Sequence, residues 1–244
     1  TDDQAVSLAL WNNPQFHAAL MRLGLARGDL IQAGLLTNPN VQLVFPIGPK
    51  IFESMAFIPL EALVLRPLRS DVAATELERL KQELIQVGLD LVRDVRLACA
   101  ELTFAQERAA LANEAVRVQK NILDLSEKQL KAGDISELEV INARATYLQS
   151  KAGAAQIRMN VPIAENNLRQ LLGLSLKPVP LALIPSTVKP IQHDHQALLA
   201  KALAVRPDLK AASIAIENAK KQVELTHWNI LQFGGISDIS SPGP

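Results

Sequence analysis

Three groups of side chains in this chain are of types that do chemistry. His193-Asp194-His195 sets two imidazoles around a carboxylate, donors that suit a divalent transition metal. No cysteine and no further histidine stands near them, and a proline-rich stretch precedes them. The expected role is therefore a solvated loop in which Asp194 caps the following helix. Cys99, the only cysteine, could serve as a thiolate nucleophile, but it lies between Ala98 and Ala100 on an apolar stripe, where packing is the expected role. A single cysteine excludes a disulfide framework and a thiolate zinc site. Arg93, Asp94 and Arg96 carry charge at helical spacing and read as a surface network of little energetic worth. The sequence contains no phosphate loop, dinucleotide glycine pattern, nucleophile elbow or His-Glu-x-x-His, and Gly234-Gly235 comes too near the end to open a nucleotide-binding unit. No cofactor, metal or catalytic residue is expected.

The elements that would position such groups are mostly helices. Apolar residues make up 48% of the 244 but aromatics only 4%, so the helices must pack through Ala and Leu. Twenty-five basic and 25 acidic residues cancel, which leaves no net field to recruit nucleic acid or anionic lipid. No run approaches the roughly 20 apolar residues of a membrane-spanning helix, a test that a β-barrel strand escapes. Thr1 follows no apolar leader, as in a cytoplasmic protein or a processed chain.

Asp2 to Leu36 reads as two helices broken at Asn12-Asn13-Pro14, with Asn capping and Pro in the first turn. The second stops before Thr37-Asn38-Pro39-Asn40. Extended runs at Val41–Ile47 and Ile51–Ile58 then flank Gly48-Pro49-Lys50 as a β-hairpin over 41–58. From about Ser70, Leu77, Leu80, Leu84, Val87, Leu91, Val95, Ala98 and Leu102 follow steps of three and four. The pattern continues through Val116, Ile122 and Leu125 to Leu130, predicting one helix of roughly 60 residues in a coiled coil. Gly133 ends it at a left-handed cap. A returning helix starts near Ser136, with Leu138, Ile141, Ala145, Leu148, Ala152, Ala155 and Met159 as its seam, and Pro162 should kink it before Leu172-Gly173. The hairpin thus covers about 70–172, and the first unit 1–174. Residues 175–195, with prolines at 178, 180, 185 and 190, read as an extended linker.

The order then begins again. Placing Pro207 on Pro14 aligns Ala9 with Ala202, Leu10 with Leu203, Ala18 with Ala211, Ala19 with Ala212 and Ala26 with Ala219. Residues 196–244 read as the start of a second, incomplete repeat. At about 1.5 Å per residue the long helix would span on the order of 90 Å and the returning one about 55 Å, so the short helices must partner the remainder. An elongated scaffold is expected rather than a compact enzyme.

Taken together, Asn13-Pro14 and its echo Arg206-Pro207-Asp208-Leu209, Gln32-Ala33 to Thr37-Asn38-Pro39, the stretch Lys131 to Arg144 around Gly133, and Asn167 to Gly173 resemble the TolC-like outer-membrane factors. The resemblance implies a mainly α protomer fragment, with a long antiparallel coiled-coil hairpin and a short β-hairpin, of a combined α-barrel and β-barrel. It implies a homotrimer in the intact protein, seated in the outer membrane of a Gram-negative cell with its helices in the periplasm. Such a trimer is a passive exit duct for an efflux pump or type I secretion system. A periplasmic adaptor (membrane fusion protein) docks on it, and an inner-membrane transporter works through that adaptor. It further implies that Gly133, Asp134, Ile135, Ser136 and Glu139 are the adaptor-contacting tip, and that Val41, Leu43, Phe45, Phe52 and Phe57 belong to the membrane hairpin. Arg93, Asp94 and Arg96 could then line the duct. The second repeat lacks its hairpin, so the chain is expected to be a fragment unable to close the tube alone. Proline at 46 and 59 and short strands set its membrane insertion in question. A soluble coiled-coil adaptor or scaffold is the alternative, disfavoured by the X-Pro breaks that flank the hairpin; a helical enzyme would need a buried polar pocket.

Overall fold

The computed structural model describes residues 1–44, 53–59, 61–175, 181, 194–229 and 234–240. In chain order these form α1 (Asp2–Asn12), α2 (Pro14–Ala33), β1 (Asn40–Val44), β2 (Glu53–Pro59), α3 (Glu61–Ala132), α4 (Glu137–Arg158), α5 (Asn160–Leu171), α6 (His195–Val205), α7 (Pro207–Asn229) and β3 (Gly234–Ser240). The protein is mainly α with a small antiparallel sheet, ordered β1-β2-β3. The order helix, proline, helix, strand at α1-α2-β1 returns at α6-α7-β3. The turn Gly48-Pro49-Lys50, Phe45, Phe52, His193 and nearly all of the proline-rich segment lie outside the described residues.

The chain packs as two compact units, one of Thr1–His17 with Gly88–Ile191, the other of Ala18–Val87 with Gln192–Pro244. In the first, Ala9 of α1 meets Leu91, Val95, Ala98, Cys99 and Leu102 of α3 together with Leu168 and Leu172 at the end of α5. Small residues such as Ala9, Ala98 and Cys99 let helix backbones approach closely, as the scarcity of aromatics requires. Cys99 is buried, and its desolvation pushes the thiol above its ordinary value. It packs, as its setting indicates.

The break between α1 and α2 is set by Asn13. Its Oδ1 accepts the amides of Gln15 (2.9 Å) and Phe16 (3.0 Å), and its Nδ2 donates to the Leu171 carbonyl at 2.9 Å. One buried amide thus caps a helix start and ties it to the end of α5. Facing it, Gly173 has a φ of 68°, and a Cβ there would stand 2.3 Å from the Asn12 carbonyl oxygen. Only glycine fits, for backbone conformation and for space.

In the second unit α3 begins earlier than the leucine stripe alone indicates. It starts at Glu61, not near Ser70, and runs through Pro67 for 72 residues in all. Proline's fixed φ is helical, but as the seventh helical residue Pro67 removes the amide donor to the Leu63 carbonyl and crowds that carbonyl, so α3 carries a local cost there. Further along, α7 is fastened to α3 by polar side chains. Asn218 donates to Glu76 (2.7 Å), and Lys221 donates to Thr75 (2.8 Å) and pairs with Asp71 (3.1 Å). Asn218 and Thr75 are buried.

The seam of the returning helix differs from its expected position. Leu138, Ile141, Leu148 and Met159 are 55–66% exposed, whereas Val140 and Ala154 are buried and Ala143, Tyr147, Ser150 and Ile157 half-buried. Two stripes run along α4, and the one through Val140, Tyr147 and Ala154 is covered within the chain. A related shift occurs in α3. Beyond Leu102 the covered line passes through Ala105, Ala109 and Leu123, which leaves Ile122 and Leu125 exposed. The helix is interrupted ahead of Pro162 at the single residue Met159, whose backbone stays right-handed helical (φ −66°, ψ −18°). The chain kinks there as expected, and the proline falls in the first turn of α5, where its missing amide has no partner to lose.

Candidate functional site

The reversal between α3 and α4 is built from two interlocking caps. Gly133, at φ 85°, takes the left-handed position. Its amide donates to Leu130 O (3.0 Å) and the Asp134 amide to Gln129 O (3.0 Å), the two bonds of a Schellman stop. Three residues on, the Ser136 hydroxyl accepts the Glu139 amide (3.4 Å) while Glu139 Oε2 accepts the Ser136 amide (3.3 Å), a capping box. Glu137 and Glu139 add negative charge where the helix dipole is positive. The five residues singled out in the sequence therefore stand together on one short turn. Gly133, Asp134, Ser136 and Glu139 are exposed, and Ile135 is half-buried.

Behind the turn, Arg144 of α4 reaches Glu127 of α3 at 2.8 Å, joining the two arms with both side chains largely in solvent. Leu123 and Val140 are the nearest buried apolar residues. Leu138 and Ile141 point away from them, 66% and 55% exposed. This second apolar face next to the turn escaped the sequence reading. Nothing local tells which of two apolar stripes has a partner, so periodicity alone does not distinguish the Leu138 stripe from the Val140 one.

The other named groups fall elsewhere. Val41 and Leu43 on β1 are 61% and 53% exposed and stand opposite Ala56 and Ser54 of β2. Phe57 stands opposite Asn40, one register position out of phase with them. Asp194 caps α6, its Oδ1 accepting the Gln196 amide at 3.1 Å, so it serves as a cap. Arg93 bridges Asp90 and Asp94 on its own helix, and Arg96 reaches Asp3 of α1 at 3.1 Å. No group of three or more metal-binding side chains occurs among the described residues.

Comparison with known proteins agrees with this arrangement. Residues 65–174, which hold most of α3 and all of α4 and α5, match the family of outer membrane efflux proteins. The cobalt-zinc-cadmium resistance protein CzcC of Cupriavidus metallidurans is 24% identical over 176 residues, 71% of this chain. Among solved structures, CusC superposes on 98% of the chain with a TM-score of 0.75 and 18% identity. The outer membrane channel CmeC of Campylobacter jejuni gives 0.76 at 13% identity over the same share. The fold is that of the TolC-like channel proteins. The chain spans 42% of the length of CzcC, 64% of CusC and 61% of CmeC.

Proposed function

We propose, from the premise that residues 65–174 are an outer membrane efflux protein domain, that this chain is the first repeat and the opening of the second in an outer-membrane exit duct. The duct serves a tripartite efflux pump or a type I secretion system and performs no catalysis. The observation that carries the reading is the match of that family to the helical hairpin, on a fold shared with channel proteins over nearly the whole chain. The uncovered stripe of Leu138, Ile141, Leu148 and Met159 supports it further. An α-helical tube needs each helix to contact neighbours on two sides, and a helix with two apolar stripes meets that need when copies of the chain surround a common axis.

Within this reading Gly133, Asp134, Ile135, Ser136 and Glu139 are the turn on which a periplasmic adaptor docks. An exposed, doubly capped reversal with one apolar residue presents a rigid knob to a partner hairpin. Val41, Leu43, Phe45, Phe52 and Phe57 belong to the membrane hairpin, which the exposure of Val41 and Leu43 favours.

The test is extraction of the intact protein from cells followed by native mass spectrometry in detergent. A trimer that remains with outer membranes through a high-salt wash is the expected result. A species released by salt, or a soluble one at the 26.6 kDa of this chain, would leave the scaffold reading in its place. For the tip, Ile135→Asp should lower adaptor co-purification at least tenfold without changing the trimer, whereas Leu148→Asp should impair the trimer itself.

A further inference from the structure

The ends of three helices meet one end of the sheet. Asn40, which follows α2, stands opposite Phe57, and Gly234, which follows α7, stands opposite Pro59, the residue two before α3. The chain-exposed face of α3 changes character with distance from that end. Leu63 and Val64 come first, 56% and 63% exposed, while Ala62 and Leu65 point inward. Arg66 follows, exposed and without an ion-pair partner among the described residues. Arg69 is next; its Nη2 donates back to the Ala62 carbonyl at 3.1 Å, which bends the guanidinium toward the sheet, and its buried Nε has no partner among the described residues. Beyond it, charges of both signs pair with one another, Glu76 with Arg79 and Glu78 with Lys81. On α7 the residue before the last is Trp228, 46% exposed, and beyond α2 Leu35 is 61% exposed.

Apolar, then basic, then balanced is the order that a bilayer presents along its normal: acyl chain, phosphate, water. From Leu63 to Arg69 the helix rises about 9 Å, enough to cross the roughly 5–8 Å of one headgroup layer. Trp prefers that boundary, and arginine stems lie along apolar surface while their charged ends reach the phosphates. We infer that the sheet-proximal helix ends, with Arg66 and Arg69 of α3 and Trp228 of α7, form a contact surface for anionic phospholipid of the leaflet below the sheet. This rests on the outer-membrane reading above. Positive charge selects the anionic headgroup over the zwitterionic one, and the exposed Arg66 is the principal contact.

The experiment uses the intact protein with Trp228 as its single tryptophan, reconstituted in phosphatidylethanolamine vesicles containing a minority of phosphatidylglycerol. Either lipid carries brominated chains in turn. Brominated phosphatidylglycerol should quench Trp228 more strongly per mole than brominated phosphatidylethanolamine, with a preference of about fivefold for each arginine engaged. Arg66→Gln should reduce that preference, Arg66→Lys should retain it, and Lys201→Gln should leave it unchanged. Equal quenching by the two lipids overturns the inference. Vesicles that float with the protein while Trp228 stays unquenched overturn it too, and leave the outer-membrane reading standing, with a second copy covering this face. Protein that fails to float with vesicles removes the outer-membrane reading itself.

Discussion

Asn13 and Gly173 hold the same junction by opposite means, one by bonds it makes and the other by an atom it lacks. Asn13→Ala removes two caps and leaves the Leu171 carbonyl without its donor, so unfolding in urea should show a loss of about 2–4 kcal/mol. Gly173→Ala adds a Cβ against the Asn12 backbone at a positive φ and should cost more than Gly133→Ala, where the φ is positive but nothing lies within 4 Å. The Gly133 change should therefore cost only about 1–2 kcal/mol, and comparison of the two midpoints checks this. Glu76 supplies a pH dependence. Its carboxyl sits below the ordinary carboxylate range, first because Arg79 donates to it and further because Asn218 does. A lowered folded pKa means that the bond contributes fully above the unfolded value and is lost as pH falls through the folded one. Stability should thus hold from neutrality down to the ordinary value of 4.5 and drop only below it, and Glu76→Gln should flatten that drop. Cys99 should alkylate far more slowly in the folded protein than in urea, since it is buried and its thiol is shifted upward.

At the scale of elements, what was legible in the amino-acid order was whatever is decided within four residues. Asn13-Pro14, the Gly133 stop, the Ser136–Glu139 box and the Asp194 cap each satisfy backbone groups locally, so residue type alone places them. The start of α3 was hidden because Pro67 imitates a boundary. The inner stripe of α4 was hidden because burial depends on a partner far away in the chain, and Leu138 and Ile141 carry the same apolar signal as Val140. The polar tie between α7 and α3 was equally invisible, for Asn218 and Glu76 are 142 positions apart. Its contribution is measurable: Lys221→Ala and Asp71→Ala should each weaken the second unit. Their double-mutant cycle should return a coupling of about 0.5–1 kcal/mol, as for a partly exposed pair.

For the whole molecule, the exposed apolar residues on α1, α2, α3, α4, α6 and α7, with Trp11 at 79% and Leu111 at 72%, exceed what a monomer surface ordinarily shows. The 244-residue chain expressed alone should bind a hydrophobic dye and self-associate at micromolar concentration, as sedimentation velocity would record. Aspartate placed on the outer stripe, at Leu138 and Ile141, should reduce both. Finally, α3 crosses from one compact unit to the other at Val87–Gly88 without a break. Starting a helix is unfavourable by a factor of roughly a thousand, while lengthening one is nearly neutral. Whichever unit folds first therefore hands the other a helix end already wound, and spares it a nucleation step of about 4 kcal/mol. What the two units share is one winding, so amide exchange should show no stage in which α3 forms twice.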